Sequence, residues 1–139
     1  MGSVDGYLYA FNAKTGDLLW NSSVGGYVES SPAVADGVVY VGSDDTNLYA
    51  FDATTGALRW STATANTVQS SPAVTNGVVF VGSYDEHLYA FNAVTGQVLW
   101  NKGLEGIILS SPTVVNGMVF VGSDDGSLYA FGLPTSDLP

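Results

Sequence analysis

The chain has 139 residues and a mass of 14.5 kDa, the size of one domain. Its 13 acidic and 3 basic residues give a net charge of -10, and Lys14, Arg59 and Lys102 are too dispersed to form a nucleic-acid patch or to favour an anionic membrane surface. An apolar share of 46% argues against disorder, and the absence of Cys excludes disulfides, thiol catalysis and Cys-ligated metal centres.

No apolar run approaches a membrane-spanning length. No basic start followed by an apolar stretch marks a secretory leader. The chain opens at the end of a strand, with Met1 where later units carry Val. Two strands follow, Tyr7 to Phe11 and Leu18 to Asn21. From there the sequence repeats. Gly-Ser stands at Gly2-Ser3, Gly42-Ser43, Gly82-Ser83 and Gly122-Ser123, a period of 40 residues. Leu-Tyr-Ala-Phe recurs at Leu8, Leu48, Leu88 and Leu128, Trp at Trp20, Trp60 and Trp100, and Ser-Ser-Pro at Ser30, Ser70 and Ser110. Residues 42–81 and 82–121 agree at 20 of 40 positions, so residues 1–139 read as one repetitive domain with units 2–41, 42–81, 82–121 and a partial 122–139.

Each unit reads as four short strands. In the third, Ser71 to Thr75 forms the first, with Pro72 near its start where no ladder donor is lost. Asn76-Gly77 makes a tight hairpin turn, as do Asp36-Gly37 and Asn116-Gly117. Val78 to Val81 is a β-branched and aromatic run suited to a buried strand. Gly82 to Glu86 turns, Leu88 to Phe91 is the third strand, Asn92 to Gly96 turns again, and Val98 to Trp100 is the fourth. Gly or Pro interrupts every stretch long enough for a helix.

Four antiparallel strands per unit of about 40 residues is the pattern of a propeller blade. The run Ala-Phe-[Asn/Asp]-Ala-x-Thr-Gly-x-x-x-Trp, at Ala10 to Trp20, Ala50 to Trp60 and Ala90 to Trp100, resembles the tryptophan-docking motif of the pyrroloquinoline-quinone (PQQ)-like repeat family. The preceding Val-Gly-Ser-x-Asp-x-x-Leu-Tyr-Ala resembles it too, and the likeness covers nearly the whole chain. The Trp-Asp pairs of the competing WD40 class are absent. The resemblance implies an all-β chain, a β-propeller of four-stranded antiparallel blades. It also implies that Trp20, Trp60 and Trp100 pack between blades, where each Trp→Ala change would cost about 3–5 kcal/mol. The family's propellers usually have seven or eight blades, and its setting is extracytoplasmic, periplasmic or cell-surface.

Strands of the first and last units are missing. The chain supplies the third and fourth strands of one blade, two full blades around residues 30–62 and 70–102, and the first three strands of a last blade from Ser111 to Phe131. Pro134 and Pro139 argue against a fourth strand in the tail. The sum is about 13 strands, or about three and a quarter blades per chain, short of a closed ring. Exposed blade faces and strand edges call for association. Two copies supply about 26 strands against the 24 of a six-bladed ring. The expected homodimer exchanges strands through Leu18–Asn21 and Ser111–Phe131 and leaves one third strand redundant, Leu8–Phe11 or Leu128–Phe131. The abrupt start equally fits a fragment of a longer propeller.

Asp44-Asp45, Asp85-Glu86 and Asp124-Asp125 fall in turns between second and third strands, where Asp serves turn chemistry; no calcium-loop pattern accompanies them. His87 stands alone in such a turn, with no positioned partner for acid–base work. Asn21-Ser22-Ser23 is a lone glycosylation triplet. In quinoprotein members of the family, the cofactor face is built from the connections between blades and the turns between second and third strands. On that likeness Glu29, Asp44, Gln69, Tyr84 and Asp85 are the candidate binding face. No residue set points to a catalytic group, a metal or a cofactor. The expected function is a non-catalytic scaffold or interaction propeller. The alternatives are part of a PQQ- and calcium-dependent dehydrogenase, which lacks its adjacent-cysteine disulfide here, and a sensing domain of a larger receptor or kinase.

Overall fold

The computed structural model describes residues 1–132. It contains 13 strands. Strands β1 (Tyr7–Phe11) and β2 (Leu18–Ser23) form a two-stranded sheet. A four-stranded sheet follows from β3 (Ala33–Ala35), β4 (Val38–Gly42), β5 (Asn47–Asp52) and β6 (Leu58–Ala63). A second comprises β7 (Ala73–Thr75), β8 (Val78–Gly82), β9 (His87–Asn92) and β10 (Val98–Gly103). The last holds β11 (Thr113–Val115), β12 (Met118–Gly122) and β13 (Leu128–Gly132). Every pairing is antiparallel between sequence neighbours, the meander of a propeller blade. The chain is thus a partial β-propeller. The tail read as lacking a fourth strand, residues 133–139, lies outside the described residues.

Local chemistry explains the boundaries. The first hairpin turn of each later blade places both central residues at positive φ, with Asn76 at 48° and Gly77 at 74°, the type I′ geometry that matches strand twist. Met1 marks the stub of a second strand, because its carbonyl accepts from the Tyr9 N–H at 2.9 Å and Gly2 bridges to Leu8. Ser-Ser-Pro enters the ladder only at the residue after Pro. The first serine of the motif turns inward, and Ser70 Oγ accepts from the Gly82 N–H at 3.1 Å.

A bulge recurs where the third and fourth strands pair. Ala50 faces Trp60 while Phe51 faces Leu58, so Arg59 is the extra residue; Leu19 and Leu99 hold that place in the neighbouring blades. A bulge bends its strand and re-aims the next side chain, here Trp.

The cores lie between blades rather than within one. Leu8, Val28, Val39, Val41 and Phe51 join the first two. Val38, Leu48, Val68, Val79 and Phe91 join the second and third. Phe80, Leu88, Ile108, Val119 and Val121 join the last two. Each fully buried side chain of this kind is worth about 1.5–3 kcal/mol. A serine relay links the innermost strands: the Ser31 N–H donates to Ser71 Oγ at 2.9 Å, and the Ser71 N–H to Ser111 Oγ at 3.2 Å.

Candidate functional site

One face gathers the connections between blades and the turns between second and third strands. Each connection is hydrogen-bonded both to the turn of its own blade and to the turn of the next. In the middle copy, the Thr64 and Val68 N–H groups donate to the Thr46 and Ser43 carbonyls. The Ala65 N–H donates to the Asp85 carboxylate at 2.9 Å, and the Thr67 carbonyl accepts from the Tyr84 N–H at 3.0 Å. Val28, Val68 and Ile108 plug the three connections at the same register, each buried. The last connection is the most apolar of the three, with Leu104, Ile107, Ile108 and Leu109, and Ile108 and Leu104 belong to the core between the last two blades.

Three of the five candidate residues meet across a blade boundary. Gln69 Nε2 donates to Asp44 Oδ1 at 3.1 Å, and the Tyr84 hydroxyl donates to Gln69 Oε1 at 2.6 Å. This fixes the Gln69 amide, and Asp44 also lines a shallow cleft of about 290 Å³ with Gly25, Gly26, Tyr27 and Asp45. Glu29 occupies the register of Gln69 one blade earlier and is exposed. Asp85 does not join the row. Its Oδ2 accepts from the Tyr89 hydroxyl and the Ala65 N–H, and its Oδ1 from the His87 N–H at 3.0 Å.

That second acidic position is the same device in every unit. Asp5, Asp45, Asp85 and Asp125 each close a local turn on the backbone N–H two residues on and accept the hydroxyl of Tyr9, Tyr49, Tyr89 or Tyr129. Burial opposes the charge on Asp45, yet the Tyr49 hydroxyl and the Asn47 N–H outweigh it and hold the carboxyl below its ordinary range. Burial, then the Asp85 bond, pushes the Tyr89 phenol up to about 12. His87 Nδ1 is 2.8 Å from the Asp85 carbonyl and donates to it. Among the described residues no three His, Asp or Glu side chains gather to hold a metal.

The tryptophans sit on the other side of the blade boundary. Trp20 Nε1 donates to the Ala53 carbonyl at 3.1 Å and Trp60 Nε1 to the Ala93 carbonyl at 3.0 Å, each in the following blade. Each indole covers a turn glycine. A Cβ on Gly56 would lie 2.7 Å from Trp20 ring carbons, and one on Gly96 2.6 Å from those of Trp60. Trp100 packs against Phe80, and the position equivalent to Ala53 and Ala93, residue 133, lies outside the described residues. The bulges that aim these rings have no sequence signal beyond the Trp spacing itself.

The row of Asp44, Gln69 and Tyr84 offers hydrogen-bond donors and acceptors with one carboxylate, and no nucleophile paired to a base. Its donors and acceptors suit it to holding a polar group.

Comparison with known proteins agrees with the architecture. A family model described as outer membrane protein assembly factor BamB matches residues 4–106 and 78–135. No curated protein sequence matches the chain. Among solved structures, BamB from Moraxella catarrhalis is 26% identical with a TM-score of 0.84, over 95% of this chain but only 42% of that one. The computationally designed Ika4 protein is 20% identical with a TM-score of 0.86, over 96% of this chain and 83% of that one. The quinohemoprotein alcohol dehydrogenase ADHIIG from Pseudomonas putida HK5 is 24% identical with a TM-score of 0.77, over 87% of this chain and 26% of that one. Repeat motif, blade topology and family model coincide along the described chain, which therefore belongs to the PQQ-like β-propeller repeat family, of the BamB type.

Proposed function

We propose that this chain is a non-catalytic propeller module that completes its ring with a second copy, giving six blades. Residues 1–139 act as one partial propeller whose two ends are complementary. The observation that carries this reading is a pair of clefts at the two ends of the described residues. At the first end a cleft of about 450 Å³, lined by Leu8, Tyr9, Phe11, Trp20, Val34 and Val39 among others, occupies the space of two inner strands. At the other end, among the described residues, a cleft of about 230 Å³ lies beside Trp100 and Phe131, where an outer strand would pair with β13. Val34, Leu19 and Leu128 are exposed around these ends. Such apolar faces and open edges favour a partner that continues the sheet.

Absolute mass by light scattering across a dilution series tests the reading. A species at twice 14.5 kDa that persists on dilution supports it. A stable monomer refutes it. In the ring, the face bearing Glu29, Asp44, Gln69, Tyr84 and Asp85 is the proposed ligand or partner surface, with Asp85 shaping it from beneath.

A second reading, part of a quinone-dependent dehydrogenase, draws on the likeness to the Pseudomonas putida alcohol dehydrogenase. Added PQQ with calcium discriminates. A red-shifted absorbance that comigrates with the protein would support the enzyme, and its absence would favour the scaffold.

A further inference from the structure

We infer that Trp100 of one copy seats on the Ala13–Gly16 turn of a second copy, and that the β1–β2 hairpin of that copy replaces β13. The inference rests on the ring reading and names its contact.

The chain contains its own template. Trp20 and Trp60 each use Nε1 on the first residue of an Ala-x-Thr-Gly turn and cover the glycine at its end. The next donor along each of these strands reaches the same turn, with Ser22 Oγ on the Gly56 carbonyl at 2.6 Å and Thr62 Oγ1 on the Gly96 carbonyl at 2.8 Å. The first unit presents the same turn, Ala13-Lys14-Thr15-Gly16. It is built in the same way: Asn12 Oδ1 accepts the Lys14 and Thr15 N–H groups, the Gly16 N–H donates to the Asn12 carbonyl, and Gly16 has φ of 77°. A Cβ on Gly16 would meet nothing within 4 Å. This seat is formed and carries no indole. At the other end Trp100 and Lys102 stand in the register of Trp20 and Ser22, but the last unit has Ser136 where the three seats have glycine.

Seating Trp100 on Gly16 also decides which third strand is redundant. Strand β1 carries the same Leu-Tyr-Ala-Phe as β13, so once the Met1–Gly2 stub that now pairs with Tyr9 and Leu8 is displaced, it can take over the β13 register on β12: Leu8 opposite Gly122, Ala10 opposite Phe120. It arrives with β2 already paired to it and Trp20 already docked on its own second blade. Both clefts then fill, the larger by β11 and β12 of the partner copy and the smaller by β2. Leu8 is 1% exposed in its place, whereas Leu128 is 75% exposed. Displacing β13 therefore loses the less embedded strand.

Dissociation constants measured by sedimentation equilibrium on the full chain, Gly16→Ala, Trp100→Ala and the double variant test this. The backbone strain of Ala at position 16 is common to free and associated chains and cancels. Only a ring seated on the glycine penalises the new Cβ. Each single change should weaken association on the order of a hundredfold. The double change should cost much less than the two together, as expected for groups in contact. Ala130→Pro in β13 should leave association intact. A wild-type monomer overturns this assignment together with the ring reading. A wild-type dimer that tolerates Gly16→Ala, whose two changes add independently, or that Ala130→Pro dissociates, overturns the assignment and leaves the ring reading standing. Circular dichroism of each variant separates lost association from lost folding, and Gly16→Ala keeps the test decisive should Trp100→Ala unfold.

Discussion

Replacing Trp60 by Ala should destabilise the chain by about 3 kcal/mol, near the low end for a large-to-small change. The indole is half-buried between Tyr40 and Phe91, at centroid distances of 5.9 and 6.5 Å, so part of its surface already faces water. Its N–H bond adds little to the loss. The Ala93 carbonyl that accepts it also accepts the Tyr40 hydroxyl at 3.1 Å and would keep a partner. Trp60→Phe retains a ring in the interface and should cost about 1 kcal/mol. For a domain of this size, the Ala change corresponds to a melting shift of roughly 6–12 °C. Urea unfolding followed by circular dichroism at one fixed protein concentration measures both, since association would otherwise move the midpoint. An Ala variant that loses less than about 1 kcal/mol, or a Phe variant as damaged as the Ala one, refutes inter-blade packing of the ring as the source of stability.

Gly96→Ala and Gly37→Ala both place a side chain at positive φ, 72° and 74°, but only the first drives a Cβ into an indole. Gly37→Ala should cost about 1 kcal/mol and Gly96→Ala about 3 kcal/mol by the same unfolding assay. The depressed Asp45 carboxyl stabilises the fold above its ordinary value of 3.8, and that contribution disappears as pH falls through the lower folded value; Asp45→Asn should flatten the acid limb of a stability profile. Tyr89, raised from 10.0 to about 12, works in the opposite sense: its contribution is full below pH 10 and is lost between there and about pH 12, so Tyr89→Phe should flatten the alkaline limb. With a charge of -10 per chain, association should tighten as salt rises from low ionic strength, and weakening would argue that the contact is ionic.

Periodicity made most of the fold legible. Strand number, hairpin turns and inter-blade tryptophans follow from residues repeated every 40 positions, because each copy must solve the same packing problem. The site was less legible, and for a related reason. Adjacent acids such as Asp44 and Asp45 look alike in a turn, yet Asp45 is tied to its own turn and Tyr49 while Asp44 reaches Gln69 of the next connection. In-chain repetition separates them. Asp stands at 5, 45, 85 and 125, each with Tyr four residues on, while positions 4, 44, 84 and 124 carry Val, Asp, Tyr and Asp. A residue present in every unit serves the repeat, and one that varies is free to serve a ligand. The bridge from Asp44 through Gln69 to Tyr84 joins positions 25 and 15 residues apart, and no local pattern announces it.

The serine relay gives the arc a direction. Each inner strand hands its N–H forward to the next blade, so among the described residues the series begins at the Ser31 hydroxyl, which receives none of these N–H groups, and ends at the Ser111 amide, which passes none on. Any contact that continues this series is head-to-tail, and head-to-tail contacts either close or propagate. Curvature alone then separates a two-membered ring from a filament. A chain crippled at its tail but intact at its head would act as a terminator, capping growing assemblies at substoichiometric dose. The same polarity means that inserting or deleting one 40-residue unit changes circumference without inventing a new contact surface.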